Sequence, residues 1–165
     1  MTQDPEPGDP HRGETEHQRL NRELDQLLSE LRVALPGVQV LLAFLLTAPF
    51  SDEFGQVQGE SRSLYVAAIT LAAMASVLLI APMVHHRLRF RDGTKEEMIR
   101  MANRLALAGA TCIALAIGCA VYVVGDSAFS GSPARWIGPG LVLVAGVTWY
   151  LVPLRYREDQ TPRPG

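Results

Sequence analysis

The sequence predicts an all-α membrane protein with four transmembrane helices, preceded by a cytoplasmic amphipathic helix. Three observations carry that prediction. The hydrophobic residues, 48% of the chain, gather in four blocks. All fifteen basic and all seventeen acidic residues lie between the blocks or in the tails. Ahead of the first block, leucines recur every three or four positions, the spacing of one helical face.

Residues 1–17 (MTQDPEPGDPHRGETEH) are polar and Pro-punctuated, with too little apolar surface to offset the entropy of ordering, and read as a disordered cytoplasmic tail. A cleaved signal peptide is not expected, because its hydrophobic region should begin much closer to Met1. Residues 18–35 form the amphipathic helix, with Leu20, Leu24, Leu27, Leu28, Leu31 and Leu35 on one face. Its other face sets Arg19, Arg22 and Arg32 against Glu23, Asp25 and Glu30. That balance is unlike the basic face of a helix adsorbed on anionic lipid. Leu20, Leu24, Leu27, Leu28 and Leu31 are therefore a candidate interaction face, covering another part of this chain or meeting a second one.

The membrane domain covers residues 33–153. Span one, residues 33–50 (VALPGVQVLLAFLLTAPF), is roughly 27 Å long at about 1.5 Å per residue, just enough to cross. Pro36 lacks an amide hydrogen, so the helix bends there or starts afresh, and a bend is expected. Gln39, the only strongly polar side chain of the span, is a candidate intramembrane polar contact with a neighbouring helix. Span two, residues 64–84, carries Ala68, Ala72 and Ser76 at four-residue spacing, a row that lets another helix approach closely, and Pro82 marks its exit. Asp92-Gly93 then gives a turn, and Thr94 with Glu97 has capping-box spacing, so a helix should begin at Thr94 and run on into span three, residues 105–124. Span three has its own small-residue row at Ala106, Ala110, Ala114 and Gly118. Span four covers residues 136–153, where Pro139 between two glycines should delay the helix by a turn, and residues 154–165 form a tail.

Orientation follows from counting. The amino-terminal segment, central loop and tail hold thirteen of the basic residues and the other two loops hold two, so both termini and the central loop are expected in the cytoplasm. Phe50, Phe54, Tyr65, Tyr122 and Trp136 would then mark the outer boundary, and Trp149, Tyr150 and Tyr156 the inner one. His85, His86, Arg87, Arg89 and Arg91 form a candidate contact with anionic lipid headgroups, each basic residue contributing about 1 kcal/mol.

The spans contain no Asp, Glu, Lys, Arg or His. Ionisable groups in a bilayer mark proton relays and ion paths, so a proton-coupled exporter is not expected, whereas a pore lined by uncharged groups stays open. Cys112 and Cys119, seven apart on one helix, are separated by roughly 10.5 Å along the axis and are beyond disulfide reach. Phosphate-binding loops, nucleophile elbows, zinc-protease motifs and dinucleotide fingerprints are all missing from the sequence. No catalytic residue, cofactor, metal or nucleic-acid partner is expected.

The segments LSELRVALPGVQVLLAFLLTAPF and IAPMVHHRLRFRDGTKEEMIRMANRLALAG, within this layout, resemble an uncharacterised bacterial family, the domain-of-unknown-function family numbered 6328. The resemblance covers about Glu23 to Val124 closely and the remainder loosely. It implies that Arg32, Pro36, Gly37, Gln39, Pro49, Pro82, His86, Arg87, Phe90, Lys95 and Arg104 belong to the family pattern, and it directs attention to the cytoplasmic side. A bacterial plasma-membrane location is expected, and a single lysine, Lys95, among fifteen basic residues, with abundant Ala, Gly, Pro and Arg, fits a GC-rich bacterial genome. Two functions then compete. One is a non-enzymatic scaffold or regulatory membrane protein, its leucine-faced helix packed on the 94–104 helix, with a homo-oligomer or another membrane protein as partner. The other is a small transporter or channel subunit, dimeric through the small-residue rows, with Gln39, Thr47, Thr70, Ser76, Thr111 and Thr148 lining a path.

Overall fold

The computed structural model describes residues 16–88, 95–128, 133–151 and 155, and among these the regular structure is all helical. Helix α1, Glu16–Thr47, carries the expected amphipathic segment and span one as a single element. It passes through Pro36 without a restart. A seam of buried residues, Leu31, Val38 and Leu45, explains why, because they recur every seven positions and keep one register on both sides of the proline. Half-buried Leu28, Leu35 and Leu42 flank that seam. Pro36 and Gly37 lie on the exposed side, so the lost hydrogen bond to the Arg32 carbonyl does not disturb the seam.

The α-helix stops before Pro49, and two 3₁₀ turns follow, Ala48–Phe50 and Asp52–Gln56. Ser51 Oγ donates to the Ala48 carbonyl at 2.8 Å and holds the first turn. Gly59, with φ near +59°, opens helix α2, Gly59–Leu88, in the left-handed region that side chains avoid. The turn is fastened to α2 by Phe54, whose ring meets Tyr65 edge-on at 4.7 Å. Tyr65 in turn donates its hydroxyl proton to the Leu45 carbonyl. That carbonyl is among the last four of α1, which have no helical partner of their own.

Helix α2 continues six residues beyond Pro82, which therefore lies inside the helix rather than at its exit. Ala68 and Ala72 of the small-residue row are completely buried, as is Ala75, whereas Ser76 is half-buried, so a neighbour comes close along this side. The neighbour is helix α3, Lys95–Ala128, which is continuous from the basic segment to the far boundary as the sequence predicts. Thr94, the expected cap, lies outside the described residues. At Gly109 an added methyl group would come within 2.7 Å of Leu79 Cδ2, which shows how tightly these two helices approach.

A 3₁₀ turn, Pro133–Trp136, leads into helix α4, Ile137–Gly146, which ends in a π-helical turn, Val147–Leu151. Pro139 sits in the first turn of α4, where amide hydrogens have no helical acceptor anyway, so the helix is not delayed. Helices α1, α2 and α3 are each long and apolar enough to cross a membrane. The apolar run Ile137–Leu151 is shorter, about 22 Å against a hydrocarbon core of about 30 Å.

Among the described residues these lengths and contacts show three packed helices with a shorter fourth beside them. Helices α1, α2 and α3 pack on one another, whereas among the described residues α4 packs chiefly on α3. The physical reason is glycine. A methyl group at Gly138 would stand 2.4 Å from the Gly118 carbonyl oxygen, so α4 is seated by backbone contact on one face of α3.

Candidate functional site

Two ends of the molecule carry polar chemistry, the basic end around residues 85–104 and the turn end around residues 48–60 and 122–137. At the basic end Leu27, Gln26 and Glu30 of α1 face Ile99, Arg100 and Asn103 of α3 across a groove of about 330 Å³. Leu27 and Leu28 are half-buried and Leu31 is buried, while the side chains of Leu20 and Leu24 lie outside the description. The leucine face and the start of α3, which the sequence pairs, are thus brought together. Gln26 Nε2 donates to Glu30 along the groove at 3.3 Å. Positions 85–87 belong to α2, but the side chains of His85, His86 and Arg87, together with residues Arg89 and Arg91, lie outside the described part.

The turn end holds a cluster that the sequence does not announce. Ser61, 3% exposed, donates its hydroxyl proton to Asp126 Oδ2 at 2.5 Å. Arg135 Nε lies 3.4 Å from the other oxygen of Asp126, and its Nη2 lies 3.9 Å from Glu60. The same guanidinium donates twice to the Tyr122 hydroxyl, at 2.9 and 3.2 Å, and rests 5.7 Å from the centre of that ring. The hydrogen bond to Tyr122, ahead of the carboxylates of Asp126 and Glu60, pushes the Arg135 pKa further above its ordinary value. The cluster joins the start of α2, the end of α3 and the turn before α4. One signal was available in the sequence: Arg62 and Arg135 are the only basic residues at this end, among Asp52, Glu53, Glu60 and Asp126.

Between α1 and α3 at this same end lies a cavity of about 680 Å³. Its walls include Leu41, Leu45, Tyr65, Ala120 and Val123, and the turn containing Phe54 and Val57 closes one end. Among the described residues, no charged side chain lines it.

The expected intramembrane polar groups are dispersed. Gln39 is exposed on α1 and forms no side-chain hydrogen bond with the described residues. Thr47, Thr70, Ser76, Thr111 and Thr148 each return their hydroxyl to a carbonyl four positions earlier in their own helix. Thr111 additionally pairs with the Tyr150 hydroxyl and ties the π-helical turn to α3. None of the six lines the turn-end cavity. Cys112 and Cys119 are both free and half-buried.

The pattern of a family of unknown function, DUF6328, matches residues 13–153, almost the whole of the helical part. The chain belongs to DUF6328. The match takes in α1 to α4, both polar ends and the cavity, so each is a feature of the DUF6328 region rather than of an appended segment. No curated protein and no solved structure matches this DUF6328 chain.

Proposed function

We propose that this DUF6328 chain is a four-pass protein of the bacterial plasma membrane, with both termini and the 85–104 segment in the cytoplasm. It works there without catalysis, as a scaffold or regulator of a protein partner. The observation that supports this reading is α1, in which one helix carries the leucine face at the basic end and the buried seam between the other helices. A partner that binds Leu27 and Leu28, or draws them away from α3, acts on the same element whose far end is held by Tyr65.

The groove at the basic end has the layout of a protein contact, an apolar centre of Leu27 and Ile99 with Gln26, Glu30, Arg100 and Asn103 at its rim. The excess of basic residues in the same segments supports the cytoplasmic assignment. His85, His86, Arg87, Arg89 and Arg91 then meet anionic headgroups. The short fourth helix crosses with local thinning of the bilayer, a modest cost for a mismatch of several ångströms.

Mild-detergent purification of the tagged full chain tests this, comparing the wild type with Leu27→Asp/Leu28→Asp. The double variant is expected to insert and stay helical while losing the proteins that co-purify with the wild type. An unchanged set of co-purifying proteins would contradict the reading.

A further inference from the structure

The cavity at the turn end is graded in both exposure and polarity. Its mouth is set by Phe44 of α1, 71% exposed, and Val124 of α3, 65% exposed. Its floor is Leu45, Tyr65 and Val123, all buried. In a chain whose three long helices cross a membrane, that mouth opens towards the acyl chains of the leaflet at the turn end. Small residues keep the volume free, since Ala48 and Ala120 stand where larger side chains would fill it. Water has little hold in such a space, because an apolar cavity offers it too few partners. About 680 Å³ also falls within the range of about 300–1,000 Å³ typical of ligand pockets.

Besides Tyr65, whose hydroxyl is held by the Leu45 carbonyl, the described polar side chains of the lining are Ser51, Gln56 and Ser127. The two serine hydroxyls donate to carbonyls of their own segments. The Gln56 side chain is exposed and keeps two donors and an acceptor for a visitor. All three groups are uncharged, and the carboxylates next along the chain, Asp52 beside Ser51 and Asp126 beside Ser127, repel an anion. Of the two basic residues at this end, Arg135 is engaged by Asp126, Glu60 and Tyr122, and Arg62 is exposed on α2 and is not part of the lining.

We propose that this cavity binds one hydrocarbon chain of a membrane lipid with a zwitterionic headgroup, the headgroup lying at Gln56 between Ser51 and Ser127. The proposal rests on the membrane reading above but not on the protein partner, so the two fail separately. The full chain is reconstituted in vesicles of phosphatidylethanolamine and phosphatidylglycerol, with a photoactivatable acyl chain on one lipid or the other, and the labelled peptides are mapped. Labelling by the phosphatidylethanolamine probe is expected to concentrate on the 41–48 and 120–127 segments. Ala120→Trp and, separately, Ala48→Leu should cut it at least tenfold, whereas Val66→Trp, on the exposed side of α2, should leave it unchanged. Helix content of each variant is measured alongside, and Ala48→Leu serves if Ala120→Trp does not fold. Equal labelling along all exposed helix faces, no effect of either filling variant, or equal labelling of these segments by the phosphatidylglycerol probe would each overturn the proposal.

Discussion

Gly138 sets how closely α4 lies on α3. A methyl group there would meet the Gly118 carbonyl oxygen at 2.4 Å and Tyr122 at 3.1 Å, and backbone cannot swing aside, so Gly138→Ala should destabilise the chain by about 1–3 kcal/mol. Gly118→Ala meets Val142 Cγ2 at 2.3 Å, a side chain that yields only by turning its one stiff torsion, and the Gly138 carbonyl oxygen only at 3.3 Å, so its effect should be somewhat smaller. Thermal unfolding of the two variants in one detergent orders them, and the reverse order would contradict the contact. A similar ranking applies at the turn end. Asp126→Ala removes the acceptor of the buried Ser61 hydroxyl, a loss of about 1–3 kcal/mol. Arg135→Ala should change the melting temperature very little, because Arg135 and Glu60 remain well exposed, at 45% and 71%, and exposed ion pairs are weak. Equal shifts for the two would mean that the arginine, not the buried hydroxyl, holds the cluster. Neither contact could be read from the sequence, since each depends on residues twenty or more positions apart being brought together by helix packing.

Helix α1 is where sequence periodicity was most informative. Leucine spacing at the basic end and the apolar run beyond Pro36 were both legible, and the proline between them left open a bend, the expected outcome, or a fresh start. The seam at Leu31, Val38 and Leu45 favours one continuous helix, since packing along one side outweighs a single lost hydrogen bond on the other. Leu31→Ala should therefore destabilise by about 2–5 kcal/mol, while Val33→Ala, at a position 78% exposed, should be nearly neutral. Pro36→Ala should be neutral or stabilising, because the helix is continuous through position 36 and alanine supplies the amide hydrogen missing for the Arg32 carbonyl. A large loss of helicity on that change would show that the proline holds a bend the seam requires. The small-residue rows were legible in the same manner. Ala68 and Ala72 pack as their spacing implies, and Gly118 bears α4, although which helix would meet which row was not readable from spacing alone.

At the scale of the whole molecule, α3 is the hub: among the described residues it packs on each of the other three helices, and α4 is seated on α3. Four apolar blocks separated by charges made the class legible, but block counting cannot distinguish a closed bundle from a three-helix core with a fourth helix appended. Length separates them, since Ile137–Leu151 falls short of the other three. The basic end was half-legible, its helices foreseeable and its groove not, while the turn-end cavity left no trace because a space is made by what surrounds it. Everything argued for either end depends on their lying on opposite sides of a bilayer. Single cysteines placed by Gln18→Cys, Gln58→Cys and Arg155→Cys, in a chain with Cys112 and Cys119 replaced by serine, test that directly with a membrane-impermeant maleimide on intact cells. Position 58 should react at once, and positions 18 and 155 only after the membrane is permeabilised. Reaction of positions 18 and 58 from the same side, or recovery of the chain as a water-soluble monomer, would contradict it.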